Sequence, residues 1–137
     1  QDRSACNLDI QLDVSITPEK GQATQVSTSN FKYMYWSMAQ QLAHHSINGC
    51  LIQAGDTMAS GTISGKDKGS YGSMLELSWN GTEPIAMKGG GQRSFIEDGD
   101  TVTMTGHAEK AGLRIGFGEV SAKLLPAQPW NDLTTKK

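Results

Sequence analysis

Residues 8–17 read Leu8-Asp9-Ile10-Gln11-Leu12-Asp13-Val14-Ser15-Ile16-Thr17, a strict alternation of apolar and polar side chains. Successive side chains of an extended chain point to opposite faces. A two-residue period therefore predicts a strand with one face buried and the other wet. Pro18-Glu19-Lys20-Gly21 supplies a turn, and 22–28 can return beside it as a second, weaker strand. Beyond residue 50 the punctuation is that of a sheet protein: Gly55-Asp56, Asn80-Gly81, Gly89-Gly90-Gly91 and Asp98-Gly99-Asp100 separate short runs. Strands are expected at 57–64, 73–79, 83–87, 92–96, 101–106 and 113–118. Asn80-Gly81 suits a two-residue hairpin turn, because both central positions of a type I′ turn need positive φ.

One helical signal interrupts this pattern. Phe31, Met34, Tyr35, Met38 and Leu42 recur at three- and four-residue spacing and predict a helix over 30–46. Ser29 or Asn30 can cap its start and Gly49 can end it. One helix among about seven strands gives a mainly β fold with one α-helix, a sandwich or roll. Nothing divides the chain, so 1–137 is expected to be one domain, with a flexible tail at 128–137.

The totals exclude several classes of function. A net charge of −2 gives no electrostatic case for nucleic acid or an anionic membrane. No apolar run approaches the roughly 20 residues of a membrane-spanning helix. The chain opens Gln1-Asp2-Arg3, with neither an initiator Met nor an apolar leader, and is expected to be a fragment or processed product without a secretory signal. Cys6 and Cys50 make neither a disulfide framework nor a paired-cysteine metal motif, which favours a reduced, cytoplasmic setting.

The chemistry concentrates between Ser60 and Trp79. Within the expected strand 73–79, Leu75, Leu77 and Trp79 share one face, expected to be buried, and Met74, Glu76 and Ser78 share the other. Glu76 is therefore either a solvated carboxylate or, if a cleft covers that face, a group able to orient a histidine or activate a water. Ser60-Gly61-Thr62-Ile63-Ser64-Gly65-Lys66 is not a phosphate loop, having three residues between glycine and Gly-Lys instead of four, with Asp67 following. It is either a plain turn or a hydroxyl and amides able to hold a carboxylate or enolate oxygen. His44 and His45 are helix neighbours about 100° apart, unsuited to one metal and better suited to the helix C-terminus. His107 is isolated. Asn80-Gly81-Thr82 matches a glycosylation sequon but reads as a turn. Tyr33, Tyr35 and Trp36 read as packing or interface residues rather than a ligand cage.

Longer words carry a resemblance. Asn30-Phe31-Lys32-Tyr33-Met34-Tyr35-Trp36, Gln40-Gln41-Leu42, His44-His45-Ser46 and Asn48-Gly49-Cys50 resemble the fumarylacetoacetase family. So do Ala59-Ser60-Gly61-Thr62-Ile63-Ser64-Gly65, Gly72-Ser73-Met74-Leu75-Glu76-Leu77-Ser78-Trp79, Asp98-Gly99-Asp100 and Arg114-Ile115-Gly116-Phe117-Gly118. They occur in the family's order from about residue 8 to residue 127, and correspond to the last third of its enzymes.

The resemblance implies part of the mixed β-sandwich roll of the family's C-terminal catalytic domain. It implies an enzyme that hydrolyses the carbon–carbon bond of 4-fumarylacetoacetate to fumarate and acetoacetate, the last step of tyrosine breakdown. Breaking that bond expels a carbanion, which requires delocalisation and nearby positive charge, while water needs an oriented base. By position, Glu76 matches the glutamate that orients the catalytic histidine, Thr62 matches the threonine that contacts substrate, and Gly61 lies beside it. The family's histidine and its acidic ligands for calcium or magnesium precede the region matched by Asp9. The chain alone is thus expected to hold no metal ligands and no activity. The implied partners are a small diketo-acid substrate, the N-terminal part of the same enzyme and a second copy in a homodimer, in the cytoplasm, with no nucleic acid and no membrane. The competing expectations are a non-enzymatic β-rich binding module and another member of the superfamily, such as an acylpyruvate hydrolase.

Overall fold

The computed structural model describes residues 7–129. Strand β1, Gln11–Thr17, lies within the alternating stretch, and β2, Thr24–Asn30, returns antiparallel beside it. β5, Thr101–Lys110, pairs with the other side of β1, and β6, Leu113–Lys123, closes the order β2-β1-β5-β6. Every pairing in this four-stranded sheet is antiparallel. β3, Ile85–Ala86, and β4, Gln92–Arg93, form a separate two-stranded ribbon. The architecture is mainly β with one main helix, as the punctuation of the sequence implies.

Register shows which face is apolar. Leu12, Val14 and Ile16 of β1 stand opposite Gly106, Met104 and Val102 of β5, and Met104 and Val102 stand opposite Val120 and Ala122 of β6. These residues share one face of the sheet. In β2 a bulge falls at Val26, since Val14 pairs with Ser27 and Ser15 with Gln25. The extra residue reverses the parity of the strand. Thr24, Val26, Ser27 and Ser29 are consequently all buried, where an unbroken alternation would turn the two serines outward.

A layer of loops and short helices covers this face over β1 and β2. Ile16 and Val26 pack with Leu77 and Met87 as the core, with Val14, Tyr71, Met74, Ile85 and Val102 around them. The ribbon is tied on where the Lys88 N–H donates to Thr24 Oγ1 at 2.8 Å.

Several expected elements differ. The helix expected over 30–46 is a 3-10 turn at Phe31–Tyr33 followed by α1, Met38–Ile47. Ser37 interrupts it by forming a capping box with Gln40, which starts α1 there. Gly49 does follow the helix with φ +83°, but Met38 and Leu42 of the apolar stripe stay exposed, as does Ile47 at the end of α1. Residues 57–64 form no ladder, and 83–87 and 92–96 shrink to β3 and β4. The strand expected at 73–79 is instead α2, Met74–Leu77. Asn80-Gly81 has the positive φ its sequence suggests, but it closes α2 rather than a hairpin. The two-residue hairpin is Ala111-Gly112, φ +52° and +79°, between β5 and β6. Of the expected tail, 130–137 lie outside the described residues, as does Cys6. Among the described residues, no helix is long and apolar enough to cross a membrane.

Candidate functional site

The site begins with β2. Because the bulge turns Ser27 and Ser29 inward, their hydroxyls reach two loop carbonyls: Ser29 Oγ donates to Ile63 O at 2.7 Å, and Ser27 Oγ donates to Tyr71 O at 2.6 Å. Two segments eight residues apart in sequence are thereby fastened side by side on the sheet. Glycine at position 72 lets them close up. A Cβ there would lie 2.6 Å from Ile63 O and 2.8 Å from Ile63 N, which no side chain can occupy.

Ser73 starts α2: its side chain accepts the Glu76 N–H at 3.3 Å. Met74 and Leu77, three positions apart, face the core, and Leu77 is buried. Leu75 and Trp79, expected in the core from a strand period, are exposed instead: Leu75 lies on the outer side of α2, and Trp79 lies past its end with φ +49°. Glu76 leaves the core side half-buried.

The Glu76 carboxylate is held by hydroxyls. Ser64 Oγ lies 2.9 Å from Oε1 and 2.8 Å from Oε2, and Ser73 Oγ donates to Oε2 at 2.7 Å. Ser64 Oγ also accepts the Gly72 N–H at 3.0 Å. Among the described residues no cation pairs with Glu76, so its charge is free to act on a group brought to it.

An open cleft of about 580 Å³ lies over this carboxylate, lined by Glu76, Ser64, Ser73 and Thr62 on one side and by Tyr33, Tyr35 and Trp36 on another. The structure therefore brings Thr62 and Glu76 to one cleft, with Gly61 at φ +77° in the turn before Thr62. The aromatics, expected as packing or interface residues, form a wall of this cleft, with Tyr35 and Trp36 edge to face at 4.8 Å between centroids. Ser64 and Ser73 are site residues that the sequence reading misses. The signal for Ser73 is Ser73-x-x-Glu76, a capping-box spacing that also marks the start of α2. His44 and His45 fall in the last turn of α1 and line a different, apolar hollow with Met34, Trp36 and Met58.

Among the described residues, no group of three or more His, Cys, Asp or Glu is arranged to hold a metal ion. The side chains here do not fit a cation site. What the arrangement can do is hold a carboxylate acceptor at fixed orientation beside a hydroxyl-bearing loop.

Comparison with known proteins places the chain in a family. The family model described as "Fumarylacetoacetate (FAA) hydrolase C-terminal" matches residues 2–124. The chain is 55% identical over 120 residues to fumarylacetoacetase of Mus musculus, covering 87% of this chain and 29% of that relative. Fumarylacetoacetase of Homo sapiens is 54% identical over 120 residues, with the same coverage of both chains. That of Dictyostelium discoideum is 48% identical over 130 residues, covering 93% of this chain and 30% of the relative. The chain thus spans less than a third of the length of these relatives.

Proposed function

The chain belongs to the fumarylacetoacetate hydrolase family, and on that premise we propose that it is the C-terminal part of an enzyme that hydrolyses 4-fumarylacetoacetate to fumarate and acetoacetate. Glu76 accepts an N–H from a histidine contributed by the upstream part of the enzyme. That bond fixes the imidazole so that its other nitrogen takes a proton from the attacking water. Water oxygen adds to the carbonyl carbon, the carbon–carbon bond breaks, and its electron pair passes to the acetoacetate carbon as an enolate that is then protonated. Thr62, with Gly61 shaping its turn, donates its hydroxyl to the substrate. Calcium or magnesium, which the family resemblance implies, is held by residues outside this chain, and no step assigned to this chain runs through it. The enzyme works on a small diketo acid in the cytoplasm as a homodimer, and this chain alone lacks the base. The name shared by the relatives favours fumarylacetoacetase over an acylpyruvate hydrolase, and the hydroxyl-held carboxylate on a cleft favours an enzyme over a binding module.

The observation that carries the reading is the convergence of Glu76 and Thr62 on one cleft. The test is a full-length enzyme made by joining this segment to the N-terminal part of the mouse relative. Its Glu76→Gln variant should lose turnover on the order of 10²-fold with its melting temperature unchanged. Wild-type turnover in that variant overturns the assignment.

A further inference from the structure

We propose that Ser64 is a positioning residue that decides which oxygen of Glu76 meets the histidine; this rests on the role given to Glu76 above. A hydroxyl has one proton and two acceptor positions, so what it accepts constrains what it can donate. Ser64 Oγ accepts the Gly72 N–H at 3.0 Å, which leaves its single proton facing the carboxylate, 2.8 and 2.9 Å from the two oxygens. Ser73 Oγ accepts the Glu76 N–H at 3.3 Å and gives its own proton to Oε2 at 2.7 Å.

Each carboxylate oxygen offers two lone pairs. Among the described residues, Oε2 receives both hydroxyls and is filled, whereas Oε1 shares only the Ser64 proton. Oε1 is therefore the oxygen with an acceptor position left for an imidazole N–H. Ser64 is itself held in place, because Ser29 fixes Ile63 O and Ser27 fixes Tyr71 O on either side of the Ser64–Gly72 bond. Both donors to Glu76 are neutral, so they orient the carboxylate without neutralising it. A cation in the same place would weaken its hold on the imidazolium that forms as the water loses its proton.

A purely structural Ser64, tying residues 62–65 to residues 71–73, predicts different kinetics, and the full-length chimaera separates the two. Ser64→Ala should lower kcat about tenfold, part of the 10²–10⁴-fold that general base catalysis supplies, with KM unchanged. Ser64→Thr, which keeps the hydroxyl, should recover most of that loss. In the Glu76→Gln background, Ser64→Ala should cost nothing further, because a residue acting only through Glu76 has nothing left to act on. An equal loss in both backgrounds, a raised KM at unchanged kcat, or wild-type kcat in Ser64→Ala would each overturn the proposal. If Ser64→Ala does not fold, Ser64→Cys, a weaker donor of similar size, takes its place with the same expectation. Wild-type turnover of Glu76→Gln alone would instead remove the reading of Glu76, whatever Ser64 does.

Discussion

Asp100 has no solvent exposure, and Arg93 meets it through two bonds, Nε to Oδ2 at 2.9 Å and Nη2 to Oδ1 at 3.0 Å. The Glu97 N–H adds a third at 2.9 Å. The hydrogen bonds from Arg93 hold the Asp100 carboxyl below the usual carboxylate range, and burial opposes them only in part. This pair pins the ribbon of β3 and β4 to the start of β5, and neither residue lines the cleft. A carboxyl whose folded-state pKa is depressed contributes stability above its unfolded pKa and loses it as pH falls through the folded value. The contribution should therefore be complete above about pH 4, the ordinary aspartate value, and decline below it. Asp100→Asn removes the buried charge partner of the guanidinium, 17% exposed, and leaves it only the exposed Glu97 carboxylate at 3.3 Å. It should cost about 3 kcal/mol near neutral pH and flatten the fall in melting temperature on acidification. An unchanged acid slope in thermal melts of the variant would show that the pair is not the source. Asp98-Gly99-Asp100 marks a turn in the sequence, and Gly99 at φ +91° makes one. That Asp100 is buried on Arg93 depends on contacts across the fold, which a turn signal does not contain.

At the scale of elements, α2 and the loop before it carry the site, and here short-range periodicity misleads. Leu75, Leu77 and Trp79 alternate over five residues, a window too short to separate a two-residue from a helical period. Ser73-Met74-Leu75-Glu76 holds the better signal, because Ser followed three residues later by Glu is the spacing that starts a helix. The pairing of Met74 with Leu77 at three-residue separation points the same way, and both face the core. Gly72 makes the element's position testable. Its Cβ would press on the backbone of Ile63, which Ser29 fixes to β2 and which cannot move as a flexible side chain would. Gly72→Ala should cost roughly 1–3 kcal/mol, the usual penalty of overpacking. It should also lower kcat of the full-length chimaera by separating Ser64 from the Glu76 loop. Calorimetry and steady-state kinetics check the two effects together, and a variant with wild-type stability would mean that the loops are less closely tied than the hydrogen bonds indicate. The sheet itself was far more legible, since β1 spans seven residues of unbroken alternation. What its alternation could not convey is the bulge at Val26, which depends on the register against β1 and turns the two anchoring serines inward.

At the scale of the molecule, the described residues cover only half of the apolar face of the sheet. Over β1 and β2 the site layer buries Ile16 and Val26. Over β5 and β6 the same face continues through Met104, Val120, Ile115 and Leu113, all exposed, with Phe117 beside Gly106 and 62% exposed. Every residue of β6 is exposed, and β6 is an outer strand of the sheet. A strand edge with unpaired amides beside a contiguous apolar surface favours association with another chain. The purified 137-residue chain should accordingly self-associate. Sedimentation velocity should show species heavier than a monomer, shifting toward monomer when Ile115→Lys and Phe117→Lys are introduced together, since two charges on the open half of the face oppose its burial. The site lies over the covered half, so Ser64, Ser73 and Glu76 should keep their arrangement in that double variant. Introduced into the full-length chimaera, the same pair of lysines should impair folding or assembly if this face is buried there. A chain that sediments as a monomer without the substitutions would show that β6 tolerates water as it stands, and that the thin core around Ile16, Val26, Leu77 and Met87 suffices for a discrete fold.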